Sequence, residues 1–148
     1  MENQNYRVVL DTNEVIGAGT GWLDHGVPVP DKNTHRRVLI RVAESHTGLY
    51  SGKIVGEYLE KLVDLGHPRE RSVKMMTYIM GAFDSVKITT ISAPVSPADP
   101  DDEIFLLCAI DGNADYLVSE DKHLTAIKSS YTTPVIGKSG ELAGVLGA

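Results

Sequence analysis

The feature that most constrains this chain is the run YRVVLDTN, residues 6–13, in which apolar residues stop abruptly at an acid. Tyr6, Val8, Val9 and Leu10 are aromatic, β-branched or aliphatic, and the run is too short and too evenly apolar for a surface helix. It predicts a buried strand. Asp11, Thr12 and Asn13 then fall at its C-terminal end. In open α/β sheets the crevice beyond the carboxyl ends of the strands is where ligands bind, so position alone makes Asp11 a candidate site residue. Asp and Asn also suit a turn or a helix cap, and at this residue taken alone both readings stand.

The segments that follow decide what surrounds that strand. Residues 17–35 are rich in Gly and Pro and predict an irregular excursion with room for a short helix around Trp22. Arg36 to His46 carries Val38, Leu39, Val42 and Ala43 at helical spacing, and Leu49–Tyr50 predicts a short strand. Ser51 is placed to cap a helix with Ile54, Tyr58, Leu62 and Leu65 as its apolar stripe. Glu57 lies beside that stripe, while Glu60, Lys61 and Asp64 read as solvated charges. Residues 69–83 predict another helix, with Met residues as core filler. Val86 to Ile91 predicts a further strand and is followed by a Pro-rich loop.

Asp99-Pro100 is the order of an N-cap and first helical residue, and Asp101, Asp102 and Glu103 crowd the first turn of an otherwise apolar helix through Ile110. One or two acids are explained by the helix dipole; four in five positions exceed what capping requires. Asp115 to Ser119 is another strand ending in acids, Glu120 and Asp121. Lys122 to Lys128 predicts a short helix and Thr133 to Ile136 a last strand, with a tail that local pattern does not decide. Strands alternating with helices imply right-handed crossovers, and so a three-layer α/β/α domain around a mostly parallel sheet.

At 148 residues the chain suits one domain spanning 1–148, large enough to bury its own core. No run approaches membrane-spanning length, residues 1–5 carry no leader-like pattern, and Cys108 has no internal partner, so a cytoplasmic location is the expectation. A net charge of −6 excludes bulk coating of nucleic acid, though not a local basic rim beside an acidic site.

In a parallel sheet the strand C-termini and the following helix N-termini share one edge. Asp11, the Asp101/Asp102 pair and Asp121 all fall there, and Glu57 is within reach if its helix leans over it. Like charges about 5 Å apart repel by roughly 3 kcal/mol at an effective dielectric near 20, so a converging set calls for a cation. Oxygen ligands without His or Cys suit Mg2+ or Mn2+. No zinc spacing is present, and the five scattered His residues read as surface groups.

LDTN at 10–13, the Ser51-x5-Glu57-Tyr58 pattern, DPDDEIFLLCAIDGNADYLVSED at 99–121 and the trailing KHL together resemble the PIN-domain ribonucleases, especially the toxins of prokaryotic toxin–antitoxin pairs. The resemblance implies Asp11, Glu57, Asp102 and Asp121 as catalytic and metal-holding acids. Asp102 is preferred to Asp101 because Ala109 follows at the family's usual offset. Asn13 and Ser119 match polar residues that steady the site, with Asp101 beside them. It further implies metal-assisted hydrolysis of single-stranded RNA, a protein antitoxin and a homodimer. Lys53, Lys122, His123 and Lys138 are the nearest basic candidates for contacting substrate. Three departures stand out: Glu14 where an apolar residue is usual, Glu120 as an extra acid, and a long, Gly-rich 17–35 segment. Two alternatives remain at this stage. One is a non-catalytic interaction module; the other is a phosphotransferase with Asp11 as nucleophile, for which the usual second acid is replaced by Asn13.

Overall fold

The computed structural model describes residues 4–148, so the reading of residues 1–5 lies largely outside it. Five strands form one sheet in the order β3-β2-β1-β4-β5, and every pairing is parallel. β1 is Arg7–Leu10, β2 Thr47–Tyr50, β3 Asp84–Ser85, β4 Tyr116–Val118 and β5 Val135–Gly137. The chain steps outward from β1 to β2 and β3, then crosses back to lay β4 on the other side of β1. The strand order therefore reverses between β1 and β4, which is where an open sheet leaves a crevice.

The helices are α1 Thr12–Ala18, α2 Trp22–His25, α3 Thr34–Ser45, α4 Gly52–Asp64, α5 Arg69–Ala82, α6 Glu103–Asp111, α7 Lys122–Thr125 and α8 Ser139–Leu146. Right-handed crossovers place α1 to α5 on one face of the sheet. α6 packs against β1, β2 and β4 on the other, and Phe105 to Ala109 are all buried. The central strands are apolar on both faces, with Val8, Val9, Leu10 and Leu117 fully buried, as a doubly covered parallel sheet requires.

Capping explains the helix starts. The Ser51 hydroxyl accepts from the Ile54 N–H at 3.2 Å, and the Asp99 carboxylate accepts from the Asp101 N–H at 3.0 Å in a 3-10 turn, Pro100–Asp102, that leads into α6. Ile54, Tyr58 and Leu62 form the buried stripe of α4, whereas Leu65 is the C-terminal cap and stands exposed.

Two expectations need correction, and the tail left open by local pattern takes a definite form. Val86 to Ile91 is not a strand. β3 stops at Ser85, and the Thr89 and Thr90 N–H groups turn to the Asp111 carboxylate at 2.7 and 2.9 Å instead of extending a ladder. The Gly/Pro-rich excursion begins later than residue 17, because α1 continues to Ala18, and its short helix at Trp22 is α2. The tail forms α8, whose Leu142, Ala143 and Leu146 are buried and which packs on α3.

Candidate active site

Asp11 ends β1 and caps α1. Its Oδ1 accepts from the Glu14 N–H at 3.2 Å, its Oδ2 accepts from the Ser119 hydroxyl, and the residue is 3% exposed. The capping bond leaves Asp11 with further lone pairs facing the cavity that it lines. Ser119, at the end of β4, is fully buried; its Oγ also accepts from the Asp121 N–H at 3.0 Å, which fixes the start of the next turn. Asp121 caps α7 by accepting from the His123 N–H at 2.7 Å. The adjacent β1 and β4 thus deliver two acids to the crevice between them.

The third comes from α4. Tyr58 is fully buried and its hydroxyl donates to the Leu10 carbonyl, the last of β1. That bond draws α4 over the strand end and leaves Glu57 beside α1, where Thr12 Oγ1 donates to Glu57 Oε1 at 3.1 Å. The fourth acid, Asp102, lies where the 3-10 turn meets α6. Its Oδ2 is buried and has no hydrogen-bond partner among the described residues.

Asp11, Glu57, Asp102 and Asp121 line one cavity of about 250 Å³, with Thr12, Asn13, Lys61, Asp99, Asp101 and Phe105 completing its wall. No three of the four acids bring ligand atoms within 4.8 Å of one another; among the described residues only Glu14, His35 and Glu120 do so. The quartet is therefore an open cage. Mg2+ keeps several waters and is held by a few carboxylates, so an open cage fits such an ion, which would give the orphaned Asp102 Oδ2 a partner.

The electrostatics carry the mark of unneutralised acid. Burial pushes the Asp11 carboxyl from 3.8 up to about 7; the Ser119 and Glu14 hydrogen bonds oppose this, and the charges of Glu14 and Asp121 add to it. Asp102 rises from 3.8 to about 6, first through burial and then through Asp121 and Asp99, with His123 opposing. Glu57 is also raised by burial, against the Thr12 hydrogen bond. Such shifts arise where acids face one another in a cleft.

The other expected residues divide. Asn13 and Asp101 line the cavity, and Ser119 positions Asp11 from behind it. Lys53 lies along an adjoining groove of about 640 Å³ that shares Glu57, Lys61 and Asp101 with the cavity. Lys122 and Lys138 are exposed and line neither, as does half-buried His123, although His123 acts electrostatically on Asp102. Sequence reasoning missed Thr12 and Lys61. Lys61 read as a solvated charge, yet it stands four residues after Glu57, on the same helical face, and that spacing was the available signal.

The comparisons agree with this architecture. A chain in the crystal structure of VapBC2 from Rickettsia felis bound to a DNA fragment from their promoter superposes with a TM-score of 0.52, covering 89% of this chain and 97% of that one at 15% identity. At that identity the likeness carries the fold. A search of curated proteins finds no match. The PIN-domain family profile matches residues 7–123, a span that includes Asp11, Glu57, Asp102 and Asp121, and the chain belongs to the PIN domain family.

Proposed function

We propose that the protein is a divalent-metal-dependent endoribonuclease that hydrolyses phosphodiester bonds in single-stranded RNA. The observation that carries this reading is the convergence of four carboxylates from four separate segments on one cavity, with a buried Asp102 oxygen left unpartnered. Asp11, Glu57, Asp102 and Asp121 would hold Mg2+ or Mn2+. Such an ion supplies a water of lowered pKa and neutralises charge on the phosphate. The chain's own residues supply the rest. Ser119 and the Glu14 N–H fix the Asp11 carboxylate, Thr12 orients Glu57, and buried Tyr58 holds α4 against the strand end. Lys61 and Lys53 offer positive charge beside an otherwise acidic opening.

The family resemblance and the VapBC2 neighbour support a place as the toxin of a toxin–antitoxin pair, with a protein antitoxin and a homodimer as partners. Val63, Leu65, Val73 and Met80, on or beside α4 and α5, are exposed apolar residues on which such contacts can be built. No helix among the described residues is long and apolar enough to cross a membrane. A cytoplasmic site of action accords with an RNA substrate.

The direct test is cleavage of a labelled single-stranded RNA by wild type and Asp11→Asn, with Mg2+ or Mn2+ and with excess chelator. Cleavage that needs the metal and disappears in the variant supports the reading; equal cleavage by both proteins sinks it.

A further inference from the structure

Glu14, His35 and Glu120 come from α1, the first turn of α3 and the loop after β4, and meet at one point; none of them lines the acidic cavity. Glu14 Oε2 lies 3.1 Å from His35 Nδ1, and one ligand atom from each of the three residues falls within 4.8 Å of the others. Ser139, opening α8, lies between them. Its Oγ is 3.1 Å from His35 Nδ1 and donates to Glu120 Oε1 at 2.7 Å.

Hydrogen bonding leaves this cluster incomplete. Glu14 is fully buried, yet its Oε1 has no partner among the described residues. A buried carboxylate oxygen without a donor costs more than an ordinary hydrogen bond returns; Oε2 has His35 Nδ1 beside it, whereas Oε1 is left without a partner. The backbone is shaped for the ring as well. A Cβ on Gly17, one turn after Glu14, would lie 2.6 Å from His35 Cδ2, so the imidazole rests against a helix surface that only glycine leaves open. The fold thus brings Glu14, Glu120 and the end of the 17–35 segment to one point.

We propose that Glu14, His35 and Glu120 form a second cation site, separate from the acidic cavity, for a first-row transition metal of the zinc class. An imidazole with two carboxylates selects such an ion over Mg2+, which prefers an all-oxygen shell. In a tetrahedral zinc centre with bonds near 2.05 Å, adjacent ligand atoms stand about 3.3 Å apart. The Glu14–His35 separation of 3.1 Å already approaches that value. Glu120, whose Oε1 accepts from both the Ser139 hydroxyl and the Ser139 N–H, would supply the third ligand, and a water the fourth. The ion satisfies Glu14 Oε1 or its twin oxygen and ties α1, whose cap is Asp11, to the loop that carries Asp121. This assignment does not depend on the nuclease reading.

The test uses tag-free full-length protein, stripped with chelator, titrated with Zn2+ against a chromogenic competitor and with Co2+ as a spectroscopic substitute. One Zn2+ equivalent is expected in wild type and in Asp102→Asn, with a visible Co2+ ligand-field band in both. His35→Gln and Glu120→Gln should each lower Zn2+ affinity tenfold or more and lose the band, and Gly17→Ala should weaken binding by displacing the ring. Far-UV circular dichroism controls for folding; if His35→Gln fails to fold, Glu120→Gln decides, because it alters a half-buried loop residue. The proposal is overturned if stripped wild type takes up no Zn2+, if both ligand variants bind as wild type does, or if Asp102→Asn alone abolishes uptake, which would put the ion in the acidic cavity.

Discussion

The Ser119 hydroxyl donates to Asp11 Oδ2 across 108 residues of sequence, so the two strands flanking the reversal of the sheet are joined at their C-terminal ends by a side-chain bond. Ser119 Oγ in turn accepts from the Asp121 N–H at 3.0 Å. One buried serine therefore sets the positions of two acids. Ser119→Ala leaves Asp11 with its backbone donor alone and frees the turn that carries Asp121. Because the Ser119 hydrogen bond lowers the Asp11 pKa, its loss moves the acid limb of the kcat/KM profile for RNA cleavage to higher pH. A loss of about 10- to 100-fold in activity is expected, in line with outer-shell partners of metal ligands. A profile unchanged in shape would assign Ser119 a packing role only.

Asp11 also predicts how metal-free protein responds to pH. Its folded pKa of about 7 stands above the ordinary 3.8, so between those values the folded chain keeps a proton that the unfolded chain has lost. The stability due to this proton is complete below about pH 4 and disappears as pH rises through about 7. At about 1.4 kcal/mol per unit, the change is of order 4 kcal/mol. Asp31, held low by Arg36, acts in the opposite sense but has finished titrating well below that window. Chelated wild type should therefore lose melting temperature between about pH 5 and about pH 7.5, and Asp11→Asn should lose less, keeping only the fall due to Asp102, Glu57 and Glu14, whose carboxyls are also raised. Parallel curves for the two proteins would contradict the assignment.

A metal bound by these acids reverses that trend, because ligand carboxylates must be deprotonated. Asp102 near 6 and Asp11 near 7 place the proton release in the neutral range. Calorimetric titration with Mn2+ should show affinity rising from about pH 5.5 to about pH 7.5, with protons released to the buffer. Affinity that is flat over this interval would mean that neither acid contacts the ion.

The central strands and the acids at their ends are legible because their signals are local. An apolar run ending at Asp11, the Ser51 cap and Asp99-Pro100 before an apolar helix each occupy fewer than ten residues and obey one periodicity or one capping rule. What remained hidden depends on distant segments. Val86 to Ile91 has strand-like residues, but its N–H groups are taken by Asp111 of α6, a competitor that propensity does not register. His35 reads as an unremarkable polar residue until the fold sets it beside Glu14 and Glu120. The quartet's openness was equally invisible: order along the chain says which edge the acids share, not how far apart their oxygens stop.

Tyr58 bears on the anchoring of Glu57. Its hydroxyl satisfies the Leu10 carbonyl at a fully buried position, so Tyr58→Phe leaves that acceptor without this donor. A loss of about 1–3 kcal/mol in unfolding free energy is expected from urea titration. The Thr12–Glu57 bond survives the substitution, so cleavage should fall less than in Ser119→Ala. A variant as stable as wild type would show that water or a shifted α4 replaces the bond.

Lys61 tests how the proposed nuclease would hold an anionic strand. The chain carries a net charge of −6, so any affinity for RNA must come from a local arrangement of cations. Lys61 stands one turn beyond Glu57 and borders both the acidic cavity and the adjoining groove, whereas Lys53 borders the groove alone. A strand with its scissile phosphate at the carboxylates and its neighbouring phosphates along the groove passes Lys61 first. The residue is exposed, so Lys61→Ala should change stability by no more than about 0.5 kcal/mol, and binding can be read without a folding correction. KM for a single-stranded substrate should rise several-fold while kcat changes little, because an exposed phosphate contact stabilises bound substrate and transition state alike. The dependence of log affinity on log salt should become shallower by about one phosphate contact. Lys53→Ala should act in the same direction only for substrates long enough to reach along the groove. If Lys61→Ala lowers kcat at unchanged KM, the ammonium acts on the reacting phosphate itself and the strand enters by another route.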